Sequence, residues 1–239
     1  MHKRIYLITG CSRRLGLYLA ERLLAQGHQV LAHYRTRRDS IDQLEAAGAW
    51  AFQADFSDSG QIDGLVEQIR QRCNYLSGII HNASGFESSL PLAEGGAAQF
   101  QRFFQIHMLA PYCLNEALLP LLKANPEAHS DLIHITDIYA ERPDPNRHSY
   151  CATKAGLASL NDSWARSLAP KIKVNQIAPG PILFLDEHDQ AHRDAVLAQT
   201  PLAAEGGLEP IGKAVDYLLD NPYVTGSRLT VDGGRSLAR

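Results

Sequence analysis

Residues 4–16 read RIYLITGCSRRLG, and the order of residue types in this stretch decides the fold. Arg4 to Thr9 is a short apolar run closed by Gly10, and from Leu15 to Leu24 apolar residues recur at helical spacing until Gly27 stops them. The stretch reads as strand, glycine turn and helix. Such a turn gathers backbone N–H groups at a helix N-terminus, where the pyrophosphate of a dinucleotide can be held. A pair of glycines also serves any tight turn that needs positive φ, so the rest of the chain has to decide between the two readings.

Working outward, Gln29 to Tyr34 reads as a strand, Ile41 to Ala47 as a helix stopped by Gly48, and Trp50 to Ala54 as a third strand. A helix over Gln61 to Arg72 precedes a strand over Ser77 to His81. Phe100 to Leu122 keeps helical period as far as the Asn125-Pro126 break. Asp131 to Thr136 is a fifth strand, His148 to Leu168 a long helix ended by Pro170, Ile172 to Ala178 a sixth strand, and Arg228 to Val231 a last one. Strands alternating with helices predict an α/β fold: one Rossmann-type, doubly wound parallel sheet of about seven strands with helices on both faces. Ligands of such a sheet bind at the carboxyl ends of the strands, so function is expected just after each strand. Pro179 to Asp189, rich in proline and apolar residues, is a loop and a candidate substrate lid.

The chain has 239 residues, 45% hydrophobic content and a formal net charge of −3, which suits one domain, residues 1–239, with a substantial core. Mixed charge signs give no basic field for nucleic acid or anionic lipid, and no apolar run approaches a membrane span. Cys11, Cys73, Cys113 and Cys151 lack metal-type spacing and suit free thiols in a cytoplasmic protein.

Where a site for NAD ends its second strand with an acidic residue, this chain has His33-Tyr34-Arg35-Thr36-Arg37-Arg38. The arginines suit a 2′-phosphate and hence NADPH; the plainer reading is a solvated basic start to a helix. Asp55, closing the third strand, either accepts from the adenine amino group or caps the next helix, a task for which Asp58 or Ser57 is better placed. Tyr150 and Lys154 stand one helical turn apart after the fifth strand and project from one face. A tyrosine donates a proton at neutral pH if its phenolate is stabilised, and the Lys154 ammonium is expected to push its pKa down. Asp137 lies thirteen positions before Tyr150, at the end of the fifth strand, where it can face the same cleft.

With these residues in view the chain resembles the short-chain dehydrogenase/reductase family over its whole length. Thr9 to Gly16 resembles the family's TGxxxGxG turn, Asn82-Ala83 its NAG element, and Tyr150 to Lys154 its YxxxK motif. Asn175 to Gly180 resembles its N-x-x-x-PG stretch, and Thr225-Gly226 with Asp232-Gly233-Gly234 its C-terminal pattern. Arg14 replaces the usual middle glycine, and Asp137 the usual catalytic serine. Both replacements, together with His33-Tyr34 and Asn82 to Phe86, are similar to the pteridine reductases of that family. Stretches such as HYRT, QADFS and HNAS are shared with a bacterial group that reduces dihydromonapterin.

The resemblance implies NADPH-dependent reduction of a 7,8-dihydropterin, with dihydromonapterin first and dihydrofolate or dihydrobiopterin as related substrates. It assigns catalysis to Asp137, Tyr150 and Lys154. It places the cofactor on Gly10, Arg13, Arg14, Leu15 and Gly16 of the turn, and on Tyr34, Arg35, Thr36, Asp55 and Phe56 after the second and third strands. Asn82, Ala83 and Ser84 would follow after the fourth strand, then Tyr150, Lys154, Pro179, Gly180 and Ile182. Arg14, Ser84, Phe86, Asp137 and Tyr150 would touch the pterin, with Phe86 as a stacking ring; without the resemblance, Phe86 reads equally as a packing residue. His107 takes the place of a family asparagine and either extends a proton path or is a core histidine. Four copies are expected to assemble through the long crossover helices. A carbonyl or 3-oxoacyl-thioester reductase is the rival enzyme, and a non-catalytic NADP-binding sensor the rival of another class.

Overall fold

A computed structural model describes residues 3–186 and 188–237. Seven strands form one sheet: β1 (Ile5–Thr9), β2 (Gln29–Tyr34), β3 (Trp50–Gln53), β4 (Gly78–His81), β5 (Ser130–Ile135), β6 (Ile172–Pro179) and β7 (Arg228–Val231). Their order is β3-β2-β1-β4-β5-β6-β7, and every neighbouring pair is parallel. Side chains alternate across a strand, so a parallel sheet covered on both faces needs apolar residues at successive positions. In β1, Ile8 packs with α1 (Arg14–Ala25), α2 (Asp39–Ala46) and α8 (Glu209–Asp220), through Leu19, Ile41 and Val215. Leu7, one residue earlier, packs on the opposite face with α3 (Ser59–Arg72), α5 (Ala110–Lys123) and α6 (His148–Ser167), through Leu65, Leu114 and Trp164. The strand order reverses between β1 and β4, and the crevice beyond their carboxyl ends is where such a sheet receives a ligand.

The doubly wound sheet is as the apolar runs predict, and two stretches differ. The single helix read over Phe100 to Leu122 is α4 (Gly96–Phe104), a π turn at Gln105–Leu109, and then α5. Pro111 has no N–H to offer the carbonyl four residues back, which interrupts the α ladder here. The wider turn carries His107 into the interior, where it is 1% exposed. Between β6 and β7, beyond the loop read over Pro179 to Asp189, the chain forms α7 (Gln190–Ala198) and α8, two helices for which the sequence reading offers no element. Among the described residues no helix is long and apolar enough to cross a membrane.

Candidate active site

The glycine turn is built by contacts that leave no room for a side chain. Gly10 has φ +79°, and a Cβ there would lie 3.0 Å from the Ala83 Cα. At Gly16 a Cβ would fall 2.1 Å from the Gly10 oxygen and 2.5 Å from the Asn82 Nδ2. Asn82 holds the turn by donating to the carbonyls of Thr9 (2.9 Å) and Gly10 (3.3 Å), while the Thr9 hydroxyl accepts from the N–H groups of Asn82 and Ala83. His33 supports it from the other side. Its carbonyl accepts from Gly10 and Cys11, its Nδ1 lies 3.2 Å from the Gly10 nitrogen, and its Nε2–H reaches the Ala54 carbonyl at 3.0 Å. Burial pushes the imidazole down to about 4, so it is neutral in this role. No side chain caps α1 at Arg13, and the first N–H groups of the helix face the crevice.

Arg13 and Arg35 line the cavity here, and no hydrogen bond or ion pair ties their guanidinium groups among the described residues. Arg37, part of the basic stretch credited to a 2′-phosphate, is committed elsewhere: it pairs with Asp42 and Glu45 and donates to the Tyr34 hydroxyl. Tyr34 is thereby drawn under the surface, 7% exposed, and neither it nor Thr36, Pro179 or Ile182 reaches the cavity wall. Asp55 and Phe56 do. Phe56 stacks on His33 at 4.0 Å, and Asp55 accepts from the backbone and hydroxyl of Ser57, while Asp58 caps α3.

At the other end of the crevice β5 and α6 bring Asp137, Tyr150 and Lys154 together. The Tyr150 hydroxyl donates to Asp137 Oδ2 at 2.7 Å, and the Tyr139 N–H donates to Oδ1 at 2.8 Å. Lys154 Nζ donates to the Ile135 carbonyl at 2.9 Å and lies 5.8 Å from the centre of the Tyr150 ring. Tyr150 and Lys154 stand one layer behind Asp137, which itself lines the cavity, because Phe86, Phe103 and Tyr139 pack around the phenol. Burial raises the Asp137 carboxyl and lowers Lys154 to about 8. The expected depression of Tyr150 is not found: burial and the adjacent Asp137 push it well above its ordinary value, outweighing the ammonium. Tyr150 is therefore a neutral donor held on a carboxylate, not a phenolate in waiting.

His107 resolves as a buried bracket. Its Nδ1–H donates to Thr153 Oγ1 at 2.8 Å, and its Nε2 accepts from the Gly85 N–H at 3.3 Å and lies 3.0 Å from the Ser84 hydroxyl. It joins the loop after β4 to α6 and makes no hydrogen bond to Tyr150 or Lys154. Phe86 stands perpendicular to Tyr150 at 5.1 Å and parallel to Tyr139 at 6.5 Å between ring centres.

The lid expected after β6 closes the top. Leu183, Phe184 and Leu185, with His188, His192 and Val196, face a cavity of about 780 Å³. Arg14 donates to the carbonyls of Leu183 (2.6 Å) and Phe184 (3.1 Å). Its φ of +53° sits in the left-handed region that disfavours a side chain by about 1–2 kcal/mol, a cost met at the position where the family carries glycine. Gly180 and Ser84 also lie on the wall. The residues that sequence reasoning leaves out are Tyr139, Glu87, Arg102, Asp144 and Arg147, which line the end beyond Phe86.

A family model described as enoyl-(acyl carrier protein) reductase matches residues 10–236. The dihydromonapterin reductase of Klebsiella pneumoniae is 42% identical over 234 residues, covering 98% of this chain and 97% of that protein. That of Escherichia coli O6:K15:H31 is 40% identical, covering 97% and 96%. The crystal structure of FolM alternative dihydrofolate reductase 1 from Brucella canis, complexed with NADP, superposes with a TM-score of 0.85 at 30% identity, covering 99% and 95%. With its glycine turn, its Tyr150–Lys154 pair and its parallel sheet, this chain belongs to the short-chain dehydrogenase/reductase family and, within it, stands with the dihydromonapterin reductases.

Proposed function

We propose that this chain reduces a 7,8-dihydropterin to the tetrahydro form with NADPH. The observation that carries the reading is the carboxyl of Asp137, buried and hydrogen-bonded to Tyr150 beside Phe86. A ketone reductase needs a hydroxyl donor to a carbonyl oxygen, whereas the N5=C6 imine of a dihydropterin needs a proton delivered to nitrogen. The Tyr150–Asp137 pair is a neutral donor resting on an acid whose proton affinity is raised, which fits delivery to N5.

The residues present fit the cofactor. The Gly10–Gly16 turn is a cradle that any Cβ would fill, the N-terminus of α1 is uncapped, and Arg13 and Arg35 offer guanidinium groups beside Asp55. When bound, NADPH supplies the hydride that C6 receives. Lys154, fixed by the Ile135 carbonyl, holds positive charge behind Tyr150, and its assigned contact with the nicotinamide ribose requires the layer of side chains between it and the cavity to open. Phe86 provides a flat apolar face for the heterocycle, and the lid excludes water. Assembly as four cytoplasmic copies through α5 and α6 belongs to the same reading.

The test is NADPH oxidation with dihydromonapterin, dihydrobiopterin, dihydrofolate and a simple ketone. Turnover of the pterins above the ketone is expected; a clear ketone preference overturns the reading in favour of a carbonyl or 3-oxoacyl-thioester reductase. Tight NADPH binding with no turnover of either class would favour the non-catalytic sensor. A pH profile gives a second check. Lys154 is lowered to about 8, so its charge is present below that pH and lost above it. Accordingly kcat/KM should fall on the alkaline side with an apparent pKa near 8. A flat profile through pH 9 would remove the lysine's charge from the mechanism.

A further inference from the structure

Beyond Phe86 the cavity ends in two ion pairs that proton delivery does not use. Glu87 accepts from Arg102 at 2.6 Å, and Asp144 pairs with Arg147. The second pair is largely buried, at 15% and 14% side-chain exposure, so its charges are little screened by water. The Arg147 guanidinium carbon lies 4.6 Å from the centre of the Phe86 ring. Arg147 donates through Nη1 to Asp144, and among the described residues no acceptor meets its Nη2. The hydroxyl of Tyr139, on the same wall, has no hydrogen-bond partner among the described residues either. Arg235, whose charge also acts on Tyr139, gives its Nη1 protons to the carbonyl and side chain of Gln199.

The chemistry of the substrate places its tail against these groups. A pterin carries its substituent on C6, the carbon that receives the hydride, next to the N5 that receives the proton. With N5 at the Tyr150–Asp137 pair, the tail begins at the reacting centre, in a cavity whose wall carries Tyr139, Arg147, Asp144 and Glu87.

We infer, resting on the dihydropterin reading, that Glu87 and Asp144 select a short, neutral, polyhydroxylated C6 tail and disfavour an anionic one. Arg102 and Arg147 are each already neutralised by a carboxylate, so an acidic tail gains little from either cation and meets two like charges. A carboxylate also has no proton to give to Glu87 or Asp144. A vicinal diol has both halves of the required hydrogen bonding: its O–H groups donate to the two carboxylates, and its oxygens accept from Tyr139 and Arg147. Specificity here comes as much from repulsion of the wrong tail as from attraction of the right one.

The experiment compares kcat/KM for 7,8-dihydromonapterin, 7,8-dihydrofolate and 6-methyl-7,8-dihydropterin in the wild type, in Glu87→Gln and in Asp144→Asn. Glu87 is half exposed, so its amide variant keeps the fold even if Asp144→Asn does not. The ratio of dihydrofolate to dihydromonapterin efficiency should rise about fivefold or more in Glu87→Gln, because one repelling charge is removed. Asp144→Asn should move the ratio the same way. A ratio within about twofold of wild type in Glu87→Gln overturns the assignment. If 6-methyl-7,8-dihydropterin is turned over while the ratio stays fixed, the tail assignment alone falls; if no pterin is turned over, the reading of the whole site falls with it.

Discussion

Replacing Asp137 with asparagine lowers kcat for a 7,8-dihydropterin by about 10²–10³-fold, while Kd for NADPH stays within about threefold of wild type. Asparagine keeps the shape and leaves an oxygen to accept from the Tyr139 N–H, so the loop after β5 retains its anchor. What it removes is the acid. With that oxygen on Tyr139, the amide Nδ2 faces the Tyr150 hydroxyl as a donor, so Tyr150 loses its acceptor, no group beside it has affinity for a replacement proton, and delivery to N5 loses its second member. The two quantities separate because Asp137 supports the proton path at one end of the crevice, whereas the glycine turn and Arg35 lie at the other. Stopped-flow turnover together with fluorescence titration of NADPH measures both. Equal losses in both would mean that Asp137 is scaffolding for the cofactor and not part of the proton path.

Gly16→Ala abolishes cofactor binding by a different route. The new Cβ would stand 2.1 Å from the Gly10 oxygen, which is backbone, and 2.5 Å from Asn82 Nδ2, which is pinned by its bonds to the Thr9 and Gly10 carbonyls. Moving the Gly10 carbonyl breaks its bond with Asn82, and moving Asn82 releases the link between β1 and β4. The overpacking costs about 3 kcal/mol of stability, and NADPH affinity falls by about 100-fold or more because the N–H groups of the turn lose their common aim. Thermal unfolding with and without NADPH tests this: the variant should melt lower and gain almost nothing from the cofactor. A variant that melts lower yet gains the wild-type increment from NADPH would show that the turn does not hold the pyrophosphate.

Much of this architecture is written in local sequence. Strands β2 and β7 coincide with the runs read for them: β2 is buried at all six positions, and β7, at the sheet edge, keeps Leu229 and Val231 on one face. The Tyr150–Lys154 pair is legible from spacing alone, since one helical turn fixes a shared face. Two helices escape for opposite reasons. α7 has no buried residue, so no periodicity marks it. α8 carries Pro210 in its first turn and Ile211, Val215, Leu218 and Leu219 at helical spacing, which are sufficient local signals for a helix. The π turn at Gln105–Leu109 is invisible to a count of 3.6 residues per turn, and with it the burial of His107.

The site is less legible because charges choose partners in space. Arg37 belongs to the basic stretch by sequence, yet Asp42 and Glu45 on α2 claim it. The Glu87–Arg102 contact joins residues 15 positions apart on a loop and a helix, a pairing that requires the tertiary fold. Tyr150 is the clearest case. Residue types predict that Lys154 lowers its pKa, but the depth of burial and the direction of its hydroxyl toward Asp137 decide the sign.

The grip of Arg14 on Leu183 and Phe184 is made through main-chain oxygens. A latch fastened to the peptide backbone does not care which side chains the flap displays. The residues facing inward from that flap can therefore be exchanged to suit a different guest while the clasp at Arg14 persists.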